Sequence, residues 1–220
     1  MKIAIRGGHT KATPGASVII DELNADRLVL NATKKYLMMG GATVYDVTPP
    51  PSMPYPQELS YGVSKANNLD VDLFVSIHFN NVYNKKYSSA IGTEVWVYNK
   101  SFGEASRTVD NLASLGFKNR GIKSMVNEGR TLGELKNTKM KAMIVEVCFV
   151  ESVADYEIFK MKGVDLIGKK IAEGILNKTI TPTDKKYRII CSGMSEARAI
   201  EGCERLRKEP RGFKCTYEEQ

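Results

Sequence analysis

The feature that most constrains this chain is a set of short apolar runs that end in, or enclose, a chemically active side chain. "KIAI" leads into Arg6-Gly7-Gly8-His9, "VDLFVSI" leads into His78, and "MIVEVCFV" encloses Glu146. Runs of this length, rich in Val, Ile and Phe, read as strands buried on both faces of a sheet. "ATVYDV" and the alternating "TEVWVYN" read as further strands. Between them, "SVIIDELNADRLVLNATKKYLMMGG" carries Leu23, Leu30 and Leu37 at heptad spacing and stops at Gly40-Gly41, which predicts a helix. "ELSYGVSKANNL" and "FGEASRTVDNLASLG" predict two more. "DYEIFKMKGVDLIGKKIAEGILNKT" predicts a last helix or helix pair. "TPPPSMPYPQ", "NNVYNKKYSSAIG" and "GRTLGELKNT" read as loops or turns. Strands alternating with helices predict an α/β fold: a twisted, mixed, largely parallel sheet flanked by helices.

The alternation ends near residue 180. "TPTDKK" (181–186) reads as a linker into a small C-terminal module at 187–220. That module reads strand ("YRIIC"), helix ("SEARAIEGCERLRK"), strand ("GFKCTY"). A unit this small cannot bury an independent core. It is expected to pack on the body or to pair with a second copy as a homodimer. The chain has no apolar run of about 18 residues, so no membrane-spanning helix is expected. Residues 1–10 lack a signal-peptide core, so the chain is expected to be cytoplasmic when made.

The formal net charge of +7 favours anionic partners, among them acidic wall polymers. No basic helix interleaved with aromatics is present, so neither nucleic acid nor a membrane is an expected partner. The cysteines Cys148, Cys191, Cys203 and Cys215 form no C-x-x-C pair. They read as free thiols, and the even spacing of the last three does not suit a structural zinc site.

Only two histidines occur in the 220 residues, His9 and His78, each where a strand ends. Two imidazoles and one carboxylate form the ligand set of many hydrolytic zinc sites, leaving a fourth position for water. Glu22, at the start of the first helix, is a candidate third ligand. Glu146, an acid inside an apolar strand, is costly there without a partner and is a candidate general base. Each residue also has a plainer reading. A histidine can be merely polar at a strand end, Glu22 can favour a helix N-terminus, and Glu146 can be a paired structural acid. Asn80, two residues after His78, and Glu94 and Trp96, on one face of "TEVWVYN", are candidate substrate contacts, against plainer readings in which Asn80 caps the strand end, Glu94 sits in solvent and Trp96 packs within the strand layer.

The stretches "IAIRGGHT", "IIDELNADRLV", "VSKANN", "DLFVSIHFN", "GTEVWVYN" and "LKNTKMKAMIVEVCFVES" occur in an order that resembles the zinc-dependent N-acetylmuramoyl-L-alanine amidases of the amidase 3 type, over residues 1–176. The resemblance implies one zinc ion held by His9, Glu22 and His78, with Glu146 as the catalytic acid-base. It implies cleavage of the amide between N-acetylmuramic acid and L-alanine in peptidoglycan, and hence wall lysis after release from the producing cell. "EVCFVES" looks most like endolysins of clostridial phages and prophages. Several positions depart from the pattern. Ile5-Arg6-Gly7-Gly8-His9-Thr10 stands for D-P-G-H-G, Gly62 stands for the Arg of L-x-x-R-x-x-x-A-N, and Cys148 and Ser152 replace a Gly and an Asn. None removes a ligand or the base. Two alternatives remain: a zinc peptidase cutting within the stem peptide, and a non-catalytic wall-binding protein. The tail resembles half of a sporulation-related wall-binding repeat.

Overall fold

In the computed structural model, residues 1–181 are described, and the expectations for the linker and C-terminal module lie outside them. The order of elements is β1 (Lys2–Gly7), α1 (Glu22–Met39), β2 (Thr43–Asp46), α2 (Gln57–Asn67), β3 (Leu73–Asn80), β4 (Thr93–Val97), α3 (Gly103–Ala113), β5 (Asn119–Ser124), α4 (Gly133–Asn137), β6 (Lys141–Phe149) and α5 (Val153–Leu176). Six strands form one sheet in the order β2-β1-β3-β6-β4-β5. Every pairing is parallel except β4 with β6, so the sheet is mixed and largely parallel.

The sheet divides two apolar layers because strand side chains alternate between faces. Leu73, Val75, Ile77 and Phe79 of β3 enter the larger cluster, with Val29 and Leu37 of α1, Val109 and Leu112 of α3, and Ile167 and Ile171 of α5. Burying each such side chain contributes about 1.5–3 kcal/mol. Phe74 of β3 faces the other way, into a smaller cluster with Ala4, Trp96, Ile144, Ala66 of α2 and Leu135 of α4. The same face of β3 continues through Ser76, His78 and Asn80. One face therefore changes from apolar to polar along the strand, and the polar end carries the site.

Three local features differ from the sequence reading. Helix α1 begins at Glu22, later than the apolar pattern suggests, because the Asp21 carboxylate caps it by accepting the Asn24 amide at 2.9 Å. "GRTLGELKNT" contains the short helix α4, and β5 was not anticipated because its half-exposed residues "NRGIKS" show no apolar alternation. In α5, Gly163 has φ 71°, in the left-handed region, which joins two helical segments across a kink. Among the described residues, no helix is long and apolar enough to cross a membrane.

Candidate metal and catalytic site

Parallel pairing carries β1, β3 and β6 to a common carboxyl edge, where ligand sites of open α/β sheets form. Register pairs His78 with Glu146 across β3 and β6, and Glu94 with Glu146 across β6 and β4. The reversal of β4 brings its N-terminal end to the carboxyl end of its neighbour. His78, Glu146 and Glu94 therefore form a transverse row across three strands.

Glu22 reaches this edge from the first turn of α1. Its Oε1 lies 3.1 Å from His9 Nε2 and 3.3 Å from His78 Nδ1, and accepts the Phe79 amide at 3.1 Å. Its Oε2 accepts the Ala16 amide at 2.9 Å. Burial opposes ionisation of Glu22, but hydrogen bonds with His78 and then His9 bring its pKa well below the usual carboxylate range. The two imidazole rings stand nearly perpendicular, with centroids 5.0 Å apart. One ligand atom each from His9, Glu22 and His78 lies within 4.8 Å of the others.

The loop before α1 is built around these groups. His9 takes φ 58°, an uncommon conformation for a residue with a side chain. Arg27 holds it there by donating to the carbonyls of Gly8 and His9, both at 2.7 Å. Gly8 packs so closely on the His78 ring that a Cβ would collide with it. Gly15 has φ 75°, and a Cβ there would lie 2.5 Å from Glu22 Oε2 and 2.7 Å from the His9 ring.

Glu146 is half-buried, and its Oε2 is buried without a hydrogen-bond partner. Burial raises its pKa. His78 opposes the rise, Glu22, Glu94 and Glu134 add to it, and the result is about 8. A half-buried acid with an unpartnered oxygen beside a ligand cluster can take and return a proton.

Glu94 is 2 % exposed and is held on every side. It accepts from Asn80 Nδ2 and Trp96 Nε1, each at 2.8 Å, and from Arg120 Nε at 2.7 Å. Trp96 is also buried, in the smaller core cluster, with the Arg130 guanidinium 5.0 Å from its ring. Its ring is therefore packed beneath the site rather than open on it. Asn80 is half-buried at the end of β3. The loop after β3 is pinned by Glu151, whose Oε1 accepts the amides of Val82 at 2.7 Å and Tyr83 at 3.1 Å.

Two groups next to the site were not singled out from the sequence as functional. Arg6 is 1 % exposed and paired with Glu58 and Glu134. It fills the space beside Gly62, where a Cβ would meet Arg6 Cδ at 3.1 Å, so two departures from the motif pattern are neighbours in space. Glu134 sits in α4 between Ser76 and His78. Its segment reads as loop or turn in the sequence, which gave no sign of the helix.

Over residues 3–177 the chain matches the family model described as N-acetylmuramoyl-L-alanine amidase. An uncharacterized protein of Clostridium perfringens (strain 13 / Type A) is 46% identical over 184 residues, covering 82% of this chain and 53% of the relative. A second C. perfringens protein, of 38.4 kDa, is 44% identical over 189 residues, with the same coverages. This chain thus spans about half the length of the curated relatives it matches. The catalytic domain of the CD27L endolysin, which targets Clostridia difficile, superposes with a TM-score of 0.73 at 30% identity, covering 82% of this chain and 99% of that one. The amidase AmiC2 of Nostoc punctiforme shares the fold, with a TM-score of 0.68 at 21% identity, covering 80% of this chain and 96% of that one. With the match running through every strand and helix described above, the chain belongs to the N-acetylmuramoyl-L-alanine amidase family.

Proposed function

We propose that this chain is a zinc-dependent amidase that cleaves the bond between N-acetylmuramic acid and the L-alanine of the peptidoglycan stem peptide. The observation that carries this reading is the register row His78–Glu146–Glu94, set beside the cluster of His9, Glu22 and His78. Family membership supports it, as does the likeness to an endolysin catalytic domain.

The donor set fits zinc. Two imidazole nitrogens and a carboxylate oxygen are its usual ligand atoms in hydrolytic sites, and three protein ligands leave a position open. His9, Glu22 and His78 would hold the ion. Bound there, zinc would supply Lewis-acid polarisation of a carbonyl and would acidify water.

The chain's own groups do the rest. Glu146 takes the proton from the attacking water and delivers it to the leaving amine. Its place in the register row beside the ligand cluster, with one oxygen unpartnered, suits a carboxyl that takes a proton and gives it back. Glu94 braces Asn80 against the row, and Trp96 acts through its bond to Glu94. Asn80 contacts the substrate, and the buried Glu94 acts on it only through Asn80. The enzyme reaches the wall after release from the cell that makes it.

Digestion of purified clostridial cell walls tests this reading. Mass spectrometry is expected to find intact stem peptides with a free N-terminal alanine, and a chelator is expected to stop their release. Products cut within the stem would assign a peptidase instead, and absence of any cleavage would leave wall binding alone.

A further inference from the structure

Glu134 has no place in the reaction as described, yet it is 5 % exposed and lies against His78. Its Oε1 accepts Ser76 Oγ at 3.0 Å and lies 3.1 Å from Arg6 Nη1. Its Oε2 faces His78 Nε2 at 3.4 Å. That nitrogen is buried and makes no hydrogen bond, and Glu134 is the carboxylate that faces it. The opposite nitrogen of the ring, Nδ1, is the one turned towards Glu22.

An imidazole offers a lone pair on one nitrogen only while the other carries the proton. Which nitrogen does so is set by the hydrogen bond the other makes. Arg6 keeps Glu134 in the form that can accept. It also gives Nε to the Gly7 carbonyl at 3.0 Å and Nη1 to the Glu58 carbonyl at 3.1 Å, and pairs with the Glu58 carboxylate. The guanidinium is thereby fixed on both sides, and Ser76 restricts the remaining freedom of the Glu134 carboxylate.

We propose that Glu134 is a positioning residue for the metal site. It accepts the proton of His78 Nε2 and so fixes the ring with the Nδ1 lone pair facing His9 and Glu22. The inference rests on the zinc reading. It adds that a residue on α4, tied through Arg6 to β1 and α2, sets the affinity of that site. The competing role for Glu134 is only to neutralise the buried Arg6.

Two measurements on the full chain separate these roles. The first uses zinc-loaded, ¹⁵N-histidine-labelled protein, in which two histidines give two imidazole spin systems. Long-range proton–nitrogen spectra are expected to show His78 protonated at Nε2. A proton on Nδ1 instead would overturn the proposal. The second is zinc affinity, measured by competition with a chromophoric chelator. Glu134→Ala is expected to weaken binding by roughly 10–100-fold. An unchanged affinity in a variant with native circular dichroism would overturn it.

Should Glu134→Ala not fold, Glu134→Gln decides, because it keeps the shape and an acceptor for Ser76 while losing the charge. It is expected to bind zinc more weakly than the parent and to shift the His78 Nε2–H resonance. No change in either would overturn the proposal. Failure of the unsubstituted protein to bind zinc is a different result, since it refutes the zinc reading itself.

Discussion

His78 and Glu146 occupy one register position on the neighbouring parallel strands β3 and β6. Their side chains therefore leave the sheet on the same face, and the cross-strand spacing of about 5 Å sets their separation. A candidate metal ligand and a candidate proton carrier are thus held by backbone hydrogen bonds rather than by a loop. The separation of their roles is testable because they lie on different strands.

Glu146→Gln keeps the shape of the side chain but removes its capacity to carry a proton. Wall hydrolysis is expected to fall by about 10²–10⁴-fold, the usual contribution of a general acid-base group. Zinc content by atomic absorption should equal that of the parent. Normal lysis by this variant would remove Glu146 from the mechanism.

Removing a ligand should act on the metal as well as on the rate. No third histidine exists in the chain to replace His9 or His78. His78→Ala is therefore expected to purify without bound zinc and without activity. The parent protein, stripped by a chelator, should regain activity on adding zinc. A full zinc complement in His78→Ala would contradict the ligand assignment.

Gly15 offers a test remote from the ligands in chemistry but not in space. Its φ of 75° and its closeness to Glu22 and His9 both oppose a side chain. Gly15→Ala is expected to lose about 1 kcal/mol or more to backbone strain. It should also weaken zinc binding, because Glu22 or His9 must move. Urea unfolding and the chelator competition would report the two effects separately.

The buried Arg6 should be hard to replace. Arg6→Met leaves Glu58 and Glu134, both nearly inaccessible, without their cation. Breaking a buried pair in this way costs about 3–5 kcal/mol. Combining it with Glu58→Gln and Glu134→Gln should recover part of the loss in denaturant unfolding.

Glu173 near the end of α5 should make stability depend on pH. Burial opposes its ionisation, but the Ile180 amide, Lys170 and Lys169 bring its pKa below the ordinary 4.5. A lowered carboxylate stabilises the fold above the unfolded value, and the gain is lost as pH falls through the folded one. Glu173→Gln is thus expected to melt below the parent at pH 7, with the gap closing as pH drops below about 4.5. A gap that persisted at pH 2 would exclude the charge as its cause.

Much of the fold was legible because apolar runs report burial directly. β1, β3 and β6 are almost wholly buried, so their composition alone marks them as central strands. β5 was not legible because an edge strand with half-exposed residues needs no apolar pattern. α4 was missed for its length, since five residues span little more than one helical turn. The site residues followed a similar division. His9 and His78 stood out through scarcity and Glu146 through its apolar surroundings. Glu134 had no such contrast, lying in a polar stretch that burial in the fold turns into an interior.

The sequence by itself determined the alternation of strands and helices, the two histidines available to a metal, and the acid inside an apolar strand. Only the tertiary structure decided which groups meet. Parallel pairing in a set register placed His78 beside Glu146, and the reversed β4 brought Glu94 into the same row. Packing of α4 and α2 on one face enclosed Arg6, Glu58 and Glu134 next to His78. The physical reason is that local pattern fixes period and burial, whereas register and layer packing are contacts between residues tens of positions apart. Those contacts depend on how the whole sheet assembles.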